Sequence, residues 1–433
     1  MARFSSRFYK PAQYFTKYFS IALISFAALF LLWFISPVSS QESIEEKVFN
    51  EVWQTVNENF YDENFNGIDW AAMRDKYKPQ AAAVQTRQQL AGIVNQMLAE
   101  LKTSHTHFYL PNETAYYQLL GIFQPDIQDL PSAAKALFPN NKYEYTGIGI
   151  FTKNINEKLF VSGILEGSPA ASTSLRIGDQ LLNVDGKPYQ AIDSFAGKAG
   201  QSVTLLVQRS PDPNSQQEIS VTPQKFDATT LFKDAQQAST QIIEQQGKRI
   251  GYLHIWSNAA DFHQQQMIQE LMFGKLAEAD GLVLDIRDGW GGGSIDYLNF
   301  FTGESPSVTS IRRDGNAFVS NYRWKKPVVL LMNEGSRSSK EIIAYGFQQS
   351  KIGVSVGTTT AGAVVAGRGF VMQDGSLVYV AVADVLVDGN QRLEGKGVTP
   401  EIAVTFPLQY AAGADPQKQQ AIDTLISTIA NSP

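Results

Sequence analysis

No cysteine occurs among the 433 residues, which removes disulfides, thiolate nucleophiles and cysteine-ligated zinc together. Histidine is scarce as well, with 4 in all, so an imidazole metal cluster has few residues to draw on. Charge is thin: 18% of residues are charged, and the balance is acidic, with a formal net charge of -6. Phosphate binding needs a concentrated basic surface, and beyond the N-terminus no basic stripe exists, which excludes nucleic acid as the main partner. What is present is apolar material, 43% of a chain long enough for two or three domains with separate cores. Folding must rest on burial.

The N-terminus stands apart from the rest. Arg3, Arg7, Lys10 and Lys17 precede an almost uncharged apolar run from Tyr18 to Ile35, the pattern of a targeting segment with its basic flank on the cytoplasmic side. Val38-Ser39-Ser40 before Gln41 supplies the small residues a signal peptidase requires. The run also approaches the roughly 18 to 20 residues that cross a bilayer. Residues 1–40 therefore read as a signal peptide or a membrane anchor. Membrane association through 18–35 stays open, cleavage is favoured by the small residues, and the remainder is placed in the periplasm or on the extracytoplasmic face.

Residues 41–135 read as a helical region. Val48, Val52, Val56 and Phe60 recur every four residues, and Leu90, Ile93, Val94, Met97 and Leu101 share one helical face. It ends in Thr103-Ser104-His105-Thr106-His107-Phe108-Tyr109-Leu110-Pro111, an extended pattern holding two of the four histidines. On a strand His105 and His107 would share a face, as a metal pair would. No carboxylate lies nearby in sequence and the other histidines are His254 and His263, so a packed histidine or a general base fits better, and no metal is assigned. An imidazole base would lose activity on the acid side at about pH 6 to 7.

Residues 143–225 are strand-rich and turn-punctuated. They open on Thr146-Gly147-Ile148-Gly149-Ile150-Phe151, continue through Gly167-Ser168-Pro169-Ala170 and Leu175-Arg176-Ile177-Gly178-Asp179, and reach Val184-Asp185-Gly186. Order and spacing closely resemble a PDZ domain. The resemblance implies that Gly147, Ile148, Gly149 and Ile150 present backbone N–H groups to the terminal carboxylate of a peptide, which adds a strand to the sheet edge.

Residues 226–412 alternate strands and helices: Arg249–Ile255, Gly281–Arg287, Val328–Met332 and Ile352–Val356 are nearly continuous apolar runs, as in a sheet buried on both faces. Residues 413–433 read as a C-terminal helix. Ligands of such sheets sit beyond the strand carboxyl ends. There lie Gly289-Trp290-Gly291-Gly292-Gly293, which lacks the lysine of a nucleotide loop but suits an oxyanion hole, and Asn333-Glu334-Gly335-Ser336-Arg337-Ser338-Ser339-Lys340-Glu341. On spacing alone, Ser338 with Glu341 is a capping box. At a strand-to-helix turn the same serine can also be a nucleophile.

Together with Asp285-Ile286-Arg287, and with Leu393-Glu394-Gly395-Lys396-Gly397-Val398-Thr399-Pro400-Glu401, these motifs resemble the carboxy-terminal processing, or tail-specific, peptidase family, over nearly all the chain after residue 43. The resemblance implies an α/β fold, a crotonase/ClpP-like layered peptidase core with an N-terminal helical region and an inserted β-rich PDZ domain. One departure is plain. Many members place a lysine twenty-five residues after the serine, and here that position is Ala363. The branch that includes the tricorn core protease uses a serine-histidine pair and a glutamate instead, and Ser104-His105 and Glu394 occupy those places. The implied activity is a serine endopeptidase acting on protein or peptide substrates with free C-termini, without a cofactor. Ser338 would be the nucleophile and His105 its base, oriented by Glu394 through Ser104, with Gly291, Gly292 and Ser339 holding the oxyanion. Lys340, two residues past Ser338 on a helix, should point elsewhere. The competing reading is an inactivated peptidase fold whose PDZ module binds protein tails or apolar ligands. Neither substrate nor oligomeric state is legible.

Overall fold

A computed structural model of the chain describes residues 42–431 except 125–126, 128–129, 139, 141, 294–295, 304–306 and 321–322. The segment 1–40, read from sequence as a signal peptide or membrane anchor, lies outside the described residues. Among those described, no helix is long and apolar enough to cross a membrane.

The first helix, α1 (Ile44–Asn59), begins where Ser43 and Glu46 cap each other, side chain to backbone N–H, at 3.1 and 3.2 Å. Its stripe at four-residue spacing, Val48, Val52 and Val56, is buried with the apolar faces of α2 (Trp70–Ala83) and α3 (Arg87–Ala99). The same cluster takes in Phe108, Val378 and Val380, so the helices close on strands from the far end of the chain. Residues His107–Tyr109 form β1, and α4 (Thr114–Ile122) and α5 (Ser132–Leu137) follow.

The β-rich unit contains β2 (Glu144–Gly147), β3 (Ile150–Ile155), β4 (Lys158–Ile164), β5 (Gln180–Val184), β6 (Lys187–Pro188), β7 (Val203–Gln208), β8 (Gln216–Val221) and β9 (Gln224–Asp227). The main sheet runs β3-β4-β5-β7-β8, which leaves β3 at an edge, while β2 pairs with β9. Ile148, Val161, Leu181, Leu205 and Val207 fill its core.

After α6 (Leu231–Ser239) the third unit builds a sheet from β10 (Gln241–Gln245), β11 (Lys248–His254), β12 (Gly281–Asp285), β15 (Val328–Met332), β16 (Val354–Gly357) and β19 (Ile402–Ala403), in that order, parallel from β11 onward. The intervening elements are α7 (Asp261–Met272), α8 (Asn299–Thr302), the hairpin β13 (Val308–Ile311) and β14 (Ala317–Ser320), α9 (Ser339–Gln349), and the hairpin β17 (Val365–Val371) and β18 (Leu377–Asp384); α10 (Pro416–Asn431) closes the chain. The unbroken apolar runs have a direct cause. Val328, Leu330 and Met332 face one core with α7 and α9, while Val329 and Leu331 face the other with α10.

The hairpin β17–β18 joins the units. β1 adds antiparallel to β18, with His107 opposite Tyr379 and Tyr109 opposite Leu377, and so draws the histidine-bearing segment across nearly three hundred residues of sequence to the mouth of the parallel sheet. His105 itself lies in a turn before β1 rather than on it, so His105 and His107 do not share a strand face as the alternating pattern suggested. Among the described residues, no group of three or more His, Asp or Glu is placed to hold a metal ion.

Candidate active site

β12 and β15 are neighbours in register, and the loops that leave their carboxyl ends are stitched together. Asn333, one residue past β15, accepts from Asp288 N–H at 3.2 Å and Gly335 N–H at 2.9 Å, and donates to the Asp288 carboxylate at 3.2 Å. Ser336 Oγ donates to the Ile286 carbonyl at 2.9 Å. Past this clamp the chain turns at Ser338, whose φ of 59° and ψ of -130° are rarely adopted by a residue with a side chain, at a cost of order 1 to 3 kcal/mol. The Ser338 N–H is fixed by the Ala363 carbonyl at 2.9 Å and the Glu341 carboxylate at 3.3 Å. Glu341 is buried and also accepts from Thr360 Oγ1 at 2.6 Å and from the Gly362 and Ala363 N–H groups at 2.7 Å each. Burial raises its carboxyl above the ordinary value, and these donors oppose that rise. The residue that reads in sequence as a cap therefore braces the segment carrying Ala363.

Across the cleft, His105 is buried at 2% exposure with its Nδ1 2.9 Å from Ser104 Oγ. Ser104 Oγ donates to the Glu394 carboxylate at 2.9 Å. That carboxylate also accepts the Ser104 N–H at 3.0 Å and the Val364 N–H at 2.6 Å. The proton order follows. Ser104 has one hydroxyl proton and gives it to an acceptor-only carboxylate, so His105 Nδ1 must carry a proton and Nε2 is left with the lone pair, as a general base requires. Burial first, and the Arg337 charge second, hold the ring at about 3, far below its ordinary 6.5. His105 is thus neutral at neutral pH, and the acid limb expected at pH 6 to 7 moves to lower pH.

His105, Gly291, Gly292, Gly293 and Ser338 line one cavity of about 250 Å³, shared with Leu119, Phe123, Trp290, Arg337 and Tyr379. Among the described residues no hydrogen bond joins Ser338 to the His105 ring. Gly291 presses closest on the serine, since a Cβ there would lie 2.5 Å from Ser338 Cβ and 3.0 Å from its Oγ. Among the described residues neither the Gly291 nor the Ser339 N–H has an intramolecular acceptor, so both donors are left for a ligand. Gly292 differs: it bridges Asn258, and a Cβ there would meet Ala259 Cα at 2.0 Å.

Lys340 is fully buried and turned away from this cavity, its Nζ donating to the carbonyls of Asp288 at 2.6 Å and Trp256 at 3.0 Å. Burial lowers its ammonium to about 7 against the pull of Asp288 and Asp285. Its contacts tie the start of α9 to the loops after β11 and β12. Trp290, Arg337 and Tyr379 complete the surroundings and were not singled out by sequence reasoning. Trp290 and Arg337 lay inside the quoted motifs, whereas nothing local marks Tyr379, which arrives by strand pairing.

In the β-rich unit, Gly147 ends β2, Ile148 is buried in the core, and Gly149 has φ of +78° with Ser168 packed where a Cβ would be, at 2.3 Å. The carbonyls of Ile148 and Gly149 accept from Ala170 at 3.0 Å and Leu165 at 2.9 Å, which anchors the turn. Ile150 then starts the edge strand β3. Phe151 of that strand stacks on Trp256 with ring centroids 5.1 Å apart.

Comparison with known proteins is consistent with this arrangement. Residues 249–404 match the model for peptidase family S41, residues 45–99 that for the tricorn protease C1 domain, and residues 137–208 that for the PDZ domain. The carboxyl-terminal-processing protease of Synechocystis sp. is 26% identical over 407 residues, covering 89% of this chain and 88% of its own length. The tricorn protease of Thermoplasma volcanium is 22% identical over 422 residues, 91% of this chain but 37% of its own length. The crystal structure of the tricorn protease superposes with a TM-score of 0.51 and 19% identity, over 90% of this chain and 37% of that one, a likeness of fold. A buried parallel sheet with this serine turn, preceded by helices and a PDZ domain, thus coincides with the peptidase family S41 match, and the chain is a serine protease similar to the carboxyl-terminal-processing and tricorn proteases.

Proposed function

We propose that the protein is an endopeptidase of exported proteins that works through an acyl-enzyme, with Ser338 as nucleophile and His105 as base. The hydrogen-bonded series Glu394–Ser104–His105, 2.9 Å at each step, facing the cavity that holds Ser338 carries this reading. His105 Nε2 takes the Ser338 hydroxyl proton as Oγ attacks the scissile carbonyl, and later delivers it to the leaving amine. Glu394 acts through Ser104 to orient the ring and to offset the imidazolium charge. The Gly291 and Ser339 N–H groups receive the oxyanion, with Gly292 holding the loop in place. A hydrogen bond from Ser338 to His105 is expected to form when substrate fills the cavity.

In the same reading, residues 143–225 form the tail-binding domain and 226–412 the peptidase core. The N–H groups from Ile148 to Ile150 take a terminal carboxylate and β3 pairs with the peptide. The basic-flanked apolar segment before residue 41 supports an extracytoplasmic location. A fluorophosphonate that reacts with activated serines should label the protein and fail to label Ser338→Ala. No labelling of the unaltered protein, with no proteolysis, would leave the tail-binding scaffold as the function.

A further inference from the structure

Arg337 immediately precedes Ser338, and its guanidinium carbon sits 4.9 Å from the Trp290 ring centroid. Trp290 is itself tethered, its Nε1 donating to Gln118 Oε1 at 2.7 Å. An aromatic face supports a guanidinium without consuming its N–H donors. Among the described residues, no carboxylate pairs with Arg337 and no hydrogen bond engages its side chain. Among the described residues, the cavity it lines holds no acidic side chain; apart from the histidine, serine and glycines, its walls include Leu119, Ile122, Phe123, Ala366 and Tyr379. The charge reaches the whole site: burial first and Arg337 second lower His105 and His107, and in Tyr109 and Tyr379, which burial raises, the same charge opposes the rise. In a protein of net charge -6, an unpaired cation in the cavity that holds Ser338 is a receptor for one negative group.

We propose that Arg337 is a specificity-determining residue that binds a substrate carboxylate carried by a residue flanking the scissile bond. This rests on Ser338 being the nucleophile and names the substrate class of that site. The carboxylate has two sources, an acidic side chain or the free terminus of a short tail, and both would meet the same fork of donors. Arg337 would orient such a substrate, while the apolar walls take the adjoining hydrocarbon.

The test is a set of matched peptides bearing Glu, Gln or Leu on either side of the cleaved bond, each with a free and an amidated C-terminus, digested by the full chain with products assigned by mass. For the unaltered enzyme, kcat/KM should be at least about tenfold higher for Glu over Gln, or for free over amidated termini, the size of a charge-assisted hydrogen bond. A preference that survives amidation assigns the side chain; one that amidation abolishes assigns the terminus. In Arg337→Ala the favoured ratio should fall to within about twofold, Arg337→Lys should retain part of it, and Arg337→Glu should turn selection away from Glu toward Gln or Leu. Cleavage of all peptides within twofold by the unaltered enzyme would overturn the inference while leaving the peptidase reading intact, and needs no variant that must fold. Absence of both cleavage and fluorophosphonate labelling would overturn the two together. A ratio unchanged in a folded Arg337→Ala would place the carboxylate receptor elsewhere.

Discussion

Ser104, His105, Ser338 and Glu394 are drawn from three distant segments, and each depends on a neighbour for its chemical state. The lone pair on His105 Nε2 exists because Ser104 gives its proton to Glu394. Parts that act as a unit are non-additive, so Ser338→Ala and His105→Ala should each lower kcat by about 10³ or more, and the double change should lower it little further. Full activity in His105→Ala, measured on the same peptide, would remove imidazole from the mechanism. The pH response belongs to this scale as well. With His105 held at about 3, the acid limb of kcat/KM should lie below pH 5, and a limb centred between 6 and 7 would contradict the burial. Stability should follow a related rule. His105 and His263 are both held at about 3, so the unfolded chain binds protons first as pH falls below about 6.5, and stability drops across the window from 6.5 to 3. His254 opposes this, since Asp285 and Glu166 raise it against its burial and its contribution is lost as pH rises. With His107 also lowered by burial, three groups against one predict a thermal midpoint that falls between pH 6.5 and 4, measurable by calorimetry.

At the scale of elements, two loops and one helix start define the cleft, and close backbone approach holds them. Gly291 is glycine because any side chain would collide with Ser338. Gly291→Ala should therefore cut kcat by about 10² to 10³, the loss seen when an oxyanion donor is displaced, while unfolding stays cooperative. Activity within a few-fold of the unaltered enzyme would place the oxyanion elsewhere. Lys340 is the interior fastener of the same loops. Lys340→Met removes the donor to Trp256 and Asp288 and leaves the Asp288 carbonyl unpaired, while that of Trp256 keeps the Trp290 N–H at 2.8 Å, which should cost about 1 to 3 kcal/mol in urea denaturation. An unchanged midpoint would mean that the ammonium is dispensable to the fold.

The whole molecule is held by contacts between units that no single unit explains. Glu166, between β4 and β5, accepts from Trp256 Nε1 at 2.6 Å and lies 3.2 Å from His254 Nδ1, both at or just past the end of β11, which pairs with the strand that precedes the glycine loop. On its other side the PDZ domain is gripped by Tyr410, whose N–H donates to the Gly178 carbonyl at 2.9 Å and whose hydroxyl donates to Gln180 at 2.8 Å. Gly178 has φ of +90°, and a Cβ there would strike Ala411 N at 2.4 Å, so that clamp needs glycine. Between the two clamps lies a polar cavity of about 350 Å³. Glu166→Ala should lower stability by about 1 to 3 kcal/mol and expose the junction near residue 228 to limited proteolysis. The same stability and digestion pattern as the unaltered protein would show that the Tyr410 side alone holds the domain.

The amino-acid sequence by itself determined the elements and the chemistry-bearing motifs. Four-residue apolar spacing marked α1 and α3, unbroken apolar runs marked β11, β12 and β15, and the glycine and serine motifs fell just past strand ends, because periodicity and turn chemistry are local properties. The boundaries moved by a residue or two, and β16 begins at Val354 rather than Ile352. Tertiary structure alone decided the rest. That His105 stands in a turn, that β1 finds β18, that Tyr379 faces the cleft and that burial carries His105 and Lys340 far from their ordinary protonation are consequences of contacts between residues remote in sequence. Desolvation and pairing across such distances have no signature in a linear pattern, because they arise only when separate apolar faces have closed on one another.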